Sequence, residues 1–460
     1  MTALHERSAA DLARLVRDRQ ASATEVVGAH LDRIEVVNPR VNAVVTLCAE
    51  RALDEARAAD QALDRGEEVG PLHGVPFTLK DTFATEGVVT TLGTTGCAGH
   101  VPRTDATVTR RLRSAGAILL GKTNVPELAM SYETDNALFG PTLNPHDASR
   151  SAGGSSGGAA AALATGLTPL EVGSDTAGSI RIPAHFCGVA GLKASAGRIP
   201  CTGYAGWKGT HLASVTQVGP MARTVADLAL ALTILAGPDG ADPHAHPVSL
   251  GDPATIDVRT LRVGVVRDNG IDPPSAEVLA ALGAAAEALG GAGATVADAT
   301  LPGLDRAPDL LSRIIVGDGG AWIGRALEAV GTTEHTFGPI PFREPTPTAD
   351  YVVLLEERNR LRAEMLAAMS GWDVLLCPVT ADVAPPLGTA GTAARPPGFT
   401  YTHPFNLTGW PVVVVRAGTG EGGLPIGIQV VAGPWRDDVA LAAARVVERE
   451  LGGPALPTAA

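Results

Sequence analysis

Short apolar runs, each stopped by Gly, Pro, Asp or Lys, punctuate the chain and leave helix-period segments between them. "LHGVPFTLKD" carries its run to Lys80, "GAILLGKTN" spans Gly116 to Asn124, and "TPLEVGSD" ends at Asp175. "RVGVVRD" (262–268), "DVLLCP" (373–378), "PVVVVRA" (411–417) and "IGIQVVAG" (426–433) continue the series. Runs of this length and composition read as strands. Helical periodicity fills 275–289, 350–370 and 437–451. Ser22-x-x-Glu25 forms a capping box before "VVGAHLDRIEVV", and 49–65 reads as a more exposed helix ending at Gly66. Strands alternating with helices predict an α/β fold built on a mixed sheet. The Gly/Pro-rich stretches 236–254 and 380–400 read as loops, and neither has the character of a domain linker.

Composition narrows the function classes. Among 460 residues, 45% are apolar and 18% charged, and the net charge is −13. That balance argues against a nucleic-acid partner, which calls for a basic face. Cys48, Cys97, Cys187, Cys201 and Cys377 are scattered without C-x-x-C spacing, as expected of reduced thiols in a cytoplasmic protein. The opening "MTALHERSAADLARLVRDRQ" has no apolar core, so no secretory signal is expected, and apolar runs broken by Gly, Ser and Pro predict no membrane span. Positive charge is almost always arginine. Lysine occurs only at 80, 122, 193 and 208, which invites a chemical reason for each.

Two motifs match familiar patterns letter for letter and fail on context. "GAILLGKT" fits the P-loop spacing, but a phosphate cradle needs an open loop, and "AILL" is an apolar run that belongs in a strand. "SAGGSSGG" (151–158) contains Gly-x-Ser-x-Gly twice, but a nucleophile elbow follows a strand, and "LNPHDASR" before it reads as a loop. A flexible linker and an anion-binding loop are the other readings of that stretch.

A better-placed nucleophile stands in "EVGSDTAGSIRIPAHFCG". A strand ends at Asp175, the small residues Thr176, Ala177 and Gly178 make a turn, and Ser179 precedes a helix start that carries Pro183 in its first turn. Backbone N–H groups beside a serine at a helix N-terminus can form an oxyanion hole, and an ordinary serine cap is the plain alternative. Lys80 closes an apolar strand. Burial there would favour the neutral amine, which can accept a proton, whereas a solvent-facing strand end is the plain alternative. A neutral lysine, Ser155 and Ser179 together could pass a proton without a histidine.

"LHGVPFTLKD", "GKTNVPELAMSYETDN", "GPTLNP", "GGSSGG", "GSDTAGSIRIPA" and "FCGVAGLK" occur in the order and near the spacing of the amidase signature family, which the chain resembles over about 1–238 and 350–450. The resemblance implies one domain over 1–460, with a motif core at 71–238, a variable segment at 239–349 and family segments at 350–450. It implies a large mixed β-sheet flanked by helices on both faces, and an amidase needing neither cofactor nor metal. It further implies a Ser–cisSer–Lys triad with Lys80 as base, Ser155 as the cis-peptide serine and Ser179 as nucleophile. The N–H groups of Thr176, Ala177, Gly178 and Ser179 would form the oxyanion hole, and Ala129 and Met130 would line the substrate pocket. Ser156 would serve in local hydrogen bonding. Arg181 either meets a substrate carboxylate or pairs with Asp175. The chain departs from the family pattern at Ala177, where glycine is common, and at Ala159, which replaces a polar residue. The expected partner is a small-molecule amide, with no nucleic acid and no membrane, and a homodimer is one candidate assembly. Acyl transfer, including the role of a tRNA-dependent amidotransferase component, is the alternative within this chemistry. Nucleotide binding at 116–123 is the alternative outside it.

Overall fold

The computed structural model describes residues 3–204, 210–390 and 398–453. The loop expected at 380–400 therefore lies partly outside the described residues. Eleven strands are present among them: β1 (Val44–Leu47), β2 (Pro76–Lys80), β3 (Ile118–Thr123), β4 (Leu170–Asp175), β5 (Ala190–Lys193), β6 (Gln217–Ala222), β7 (Arg262–Val265), β8 (Thr295–Asp298), β9 (Val374–Pro378), β10 (Val412–Thr419) and β11 (Pro425–Ala432). Every apolar run singled out in the sequence is a strand, and the capping box of Ser22 and Glu25 opens the helix Ala23–Val41.

Eight strands form one mixed sheet in the order β4-β6-β5-β10-β11-β9-β7-β8. The pairs β7–β8 and β7–β9 are parallel, whereas the pairs from β4 through β11 to β9 are antiparallel. The sheet is buried on both faces because its side chains alternate between two cores. Val413 and Val415 pack into the larger one with the helices Ala276–Gly291 and Asp437–Leu451. Val414 points the other way, into a smaller core with Ala160, Leu163, Ile182 and Phe186 from the helices Gly157–Ala164 and Arg181–Cys187. The larger core draws on residues from Ala9 to Val447.

Beside the large mixed sheet, the remaining strands make a separate sheet in the order β1-β3-β2. Side chains, rather than ladder bonds, join it to β4. Thr78 Oγ1 donates to Glu171 at 2.5 Å, and Thr168 Oγ1 accepts from the Thr78 N–H at 3.1 Å. This seam brings Lys80, at the end of β2, against Ser174 near the end of β4. Within 116–123, which match the P-loop spacing, residues 118–123 are buried strand β3 and not an open loop. Lys122 lies within it, donating to Phe83 O at 2.5 Å and to Thr85 and Thr90 at 3.1 Å, with Asp81 at 3.6 Å. No described helix is long and apolar enough to cross a membrane.

Candidate active site

Lys80, Ser155 and Ser179 reach one place from three different elements. Lys80 comes from β2, Ser155 from the turn before the helix Gly157–Ala164, and Ser179 from the turn between β4 and the helix Arg181–Cys187. Lys80 is fully buried, and its Nζ donates to Ser155 Oγ at 2.7 Å and to Ser174 Oγ at 3.0 Å. Ser174 in turn donates to the Tyr204 hydroxyl at 2.9 Å. Burial pushes the lysine down from 10.5 to about 7, against the opposing pull of the Asp175 and Glu171 carboxylates. An amine at that level is half neutral at physiological pH and can act as a base.

The glycines around Ser155 are there for close packing. The Gly154–Ser155 peptide is cis. A Cβ on Gly154 would lie 2.6 Å from both Ser131 O and Glu133 N, so only glycine lets the loop sit on the 131–133 backbone. Ser156 donates its N–H to Ser179 O at 3.2 Å, which fastens the serine loop to the Ser179 turn. Its hydroxyl is buried without a hydrogen-bond partner and caps nothing, contrary to the role expected for it. The Cβ–Oγ of Ser156 packs over Gly173 of β4, where there is no acceptor for it.

Ser179 is 9% exposed and stands one residue before the N-cap of the helix Arg181–Cys187, so the ordinary serine-cap reading does not hold. Asp175 organises the turn from beneath. Its carboxylate accepts the Gly178 N–H at 2.9 Å, the Ile180 N–H at 3.1 Å and the Arg181 side chain at 2.8 and 3.0 Å. Of the four N–H groups expected to form an oxyanion hole, those of Thr176, Ala177, Gly178 and Ser179, one is committed elsewhere. The Gly178 N–H, at φ +121°, is held inside the turn by Asp175. The N–H groups of Thr176, Ala177 and Ser179 meet no acceptor among the described residues.

Arg181 is fully buried and takes the second of its two expected roles. Besides Asp175, it donates to Thr402 O and Gln429 at 2.8 Å and to Asn406 at 2.6 Å, so it is not placed to meet a substrate carboxylate. Burial alone would raise the Asp175 carboxyl, and the Arg181 guanidinium overrides it and holds the group well below the carboxylate range. Asn406 and Gln429 escaped the sequence reading because they come from 225 and 248 residues away. Ala129 and Met130 follow Leu128 in a tight turn where Leu128 and Ala129 take φ of 50° and 58°, and Met130 is half-buried. Among the described residues no group of three or more His, Cys, Asp or Glu is placed to hold a metal ion. All five cysteines are free.

The chain is similar to known proteins over nearly all of its length. The family model for amidase matches residues 25–441. The A component of the glutamyl-tRNA(Gln) amidotransferase of Salinispora arenicola is 38% identical over 98% of this chain and 99% of its own length. An acylamidase of Rhodococcus erythropolis is 37% identical over 95% of this chain and 94% of its own. The structure of 6-aminohexanoate cyclic dimer hydrolase in complex with its substrate superposes with a TM-score of 0.87 at 31% identity, covering 98% of each chain. The chain belongs to the amidase family, in its amidase signature form, and is an enzyme that hydrolyses amide bonds.

Proposed function

We propose that this enzyme cleaves small carboxamides through an acyl-enzyme on Ser179, with Ser155 and Lys80 moving the proton. The observation that carries the reading is the wholly buried Lys80 Nζ, 2.7 Å from Ser155 Oγ in a loop bonded to the Ser179 backbone. Ser174 gives its own proton to Tyr204, so it offers Lys80 only an acceptor. A neutral lysine that donates to Ser174 keeps its lone pair for the Ser155 proton. Ser155 can then take the proton of Ser179 as Ser179 attacks the carbonyl carbon. The open N–H groups of Thr176, Ala177 and Ser179 supply donors for the oxygen that gains charge. The proton returns along the same path to the leaving nitrogen, and water releases the acid.

The test is a fluorophosphonate followed by intact-mass and peptide mapping. The reading expects one adduct, on Ser179, absent from Ser179→Ala, and full labelling of Ser179→Ala would overturn it. Acyl transfer within an amidotransferase assembly is the second reading, favoured by the 38% identity to the amidotransferase component. Glutamine as the preferred amide donor would support it, and ammonia release from simple amides without glutamine turnover would exclude it.

A further inference from the structure

We propose that the cavity beside Lys80 receives the substituent of the amide substrate and selects largely apolar groups over cationic ones. The inference rests on the serine amidase reading above. The cavity has a volume of about 830 Å³, within the range of sites that hold drug-sized ligands. Three of its lining residues stand close in the chain to the proposed catalytic network. Thr82 lies two residues beyond Lys80 and donates its N–H to Lys80 O at 2.7 Å. Leu128 opens the turn that carries Ala129 and Met130. Gly203 precedes Tyr204, the partner of Ser174. The facing wall is the helix Ala321–Ala329 of the variable segment, which contributes Trp322, Ala326 and Ala329.

Chemistry decides what fits. The lining includes Arg325, His100 and His211 but no carboxylate among the described residues. Glu127, the nearest acid by sequence to Leu128, is turned elsewhere. It accepts from Thr94 Oγ1 and from both the N–H and the hydroxyl of Thr336, each at 2.8 Å, and so fastens the chain that follows the wall helix. An ammonium entering this space would lose its hydration without meeting a counter-charge. Two polar groups are held ready instead. The hydroxyls of Thr82 and Thr210 in the lining are buried without a hydrogen-bond partner, an arrangement that suits a ligand supplying one. A ring or short alkyl chain matches the volume and the apolar wall, and a hydrogen-bonding atom on it that carries no positive charge matches those hydroxyls.

The experiment measures rates of Ser179 labelling by methyl, butyl, 4-aminobutyl and 4-phenylbutyl fluorophosphonates. In the wild type the phenylbutyl reagent should react at least about tenfold faster than the methyl one, and the aminobutyl reagent at least about tenfold slower than butyl. Ala326→Trp, which fills the cavity, should bring the phenylbutyl-to-methyl ratio to about one. Ala329→Trp, at an exposed position of the same wall, gives the same reading should Ala326→Trp fail to fold. An unchanged ratio in the filled variants, or an aminobutyl reagent as fast as butyl, would overturn the assignment. If no reagent labels Ser179, it is the serine reading that falls, and the cavity is then read directly. In Ser179→Ala, 4-phenylbutyramide should raise the thermal midpoint, and should not do so once Ala326→Trp is added. No rise in Ser179→Ala overturns the cavity assignment.

Discussion

Replacing Lys80 by methionine should inactivate the enzyme and stabilise it, and the stabilisation should fade as pH rises. The unfolded chain protonates this lysine below 10.5, and the folded protein only below about 7. Between those values the unfolded state holds the extra proton, so the lysine's contribution to stability improves with pH and is worst at and below 7. Each pH unit in that window is worth about 1.4 kcal/mol, which makes burial of Lys80 cost roughly 5 kcal/mol at neutral pH relative to an uncharged side chain of similar shape. Methionine removes that cost and loses the bonds to Ser155 and Ser174, about 1 kcal/mol each. A net gain of roughly 2–3 kcal/mol at pH 7 remains, and it should shrink by about 1.4 kcal/mol per pH unit up to pH 10. Urea unfolding of both proteins at pH 7, 8, 9 and 10 measures it. The buried Lys122 and Lys193 are common to both proteins and cancel in the difference. A stability difference that does not change with pH would mean that folded Lys80 is charged throughout, and the base would be lost from the mechanism.

The same neutral lysine fixes the kinetics: kcat/KM should rise about tenfold per pH unit below about 7 and level off above it, and Lys80→Arg, which cannot lose its proton, should stay inactive across the range. Ser155→Ala should slow acylation by about 10²–10⁴-fold, the worth of a positioned proton carrier, while retaining more activity than Ser179→Ala. Ser156→Ala should be far milder in rate and change stability by less than about 1 kcal/mol in either direction, because its hydroxyl is buried without a partner. Asp175→Asn should destabilise by about 3–5 kcal/mol in urea unfolding, since it leaves the Arg181 guanidinium buried without its counter-charge and loosens the Ser179 turn.

The strands that carry the site were legible because each is an apolar run with a sharp polar or glycine stop. β2 ending on Lys80 and β4 ending on Asp175 are the clearest. β6 was not legible, because Gly219 and Pro220 sit inside a strand that pairs with both β4 and β5. β5, four residues long, is too short to show a period. At the site, the order of motifs pointed to Lys80, Ser155 and Ser179. Two finer details depend on side-chain direction, which no spacing encodes. Asp175 folds under its own turn and takes the Gly178 N–H, and Ser156 turns toward Gly173, where nothing accepts its proton. The partners of Arg181 on the C-terminal segments, and the helix that walls the cavity, depend on contacts between residues about two hundred positions apart. Local pattern carries no information about such pairs.

Trapping the covalent acyl intermediate on Ser179 tests the proposed chemistry most directly. A 4-phenylbutyramide reaction quenched in acid within the first turnover, followed by peptide mapping, should show the phenylbutyryl group on the peptide containing Ser179. Ammonia should be released in equal amount before the free acid appears, and Ser155→Ala should form the same adduct more slowly. Ammonia and acid appearing together with Ser179 unmodified, or the acyl group on any other residue, would contradict the account.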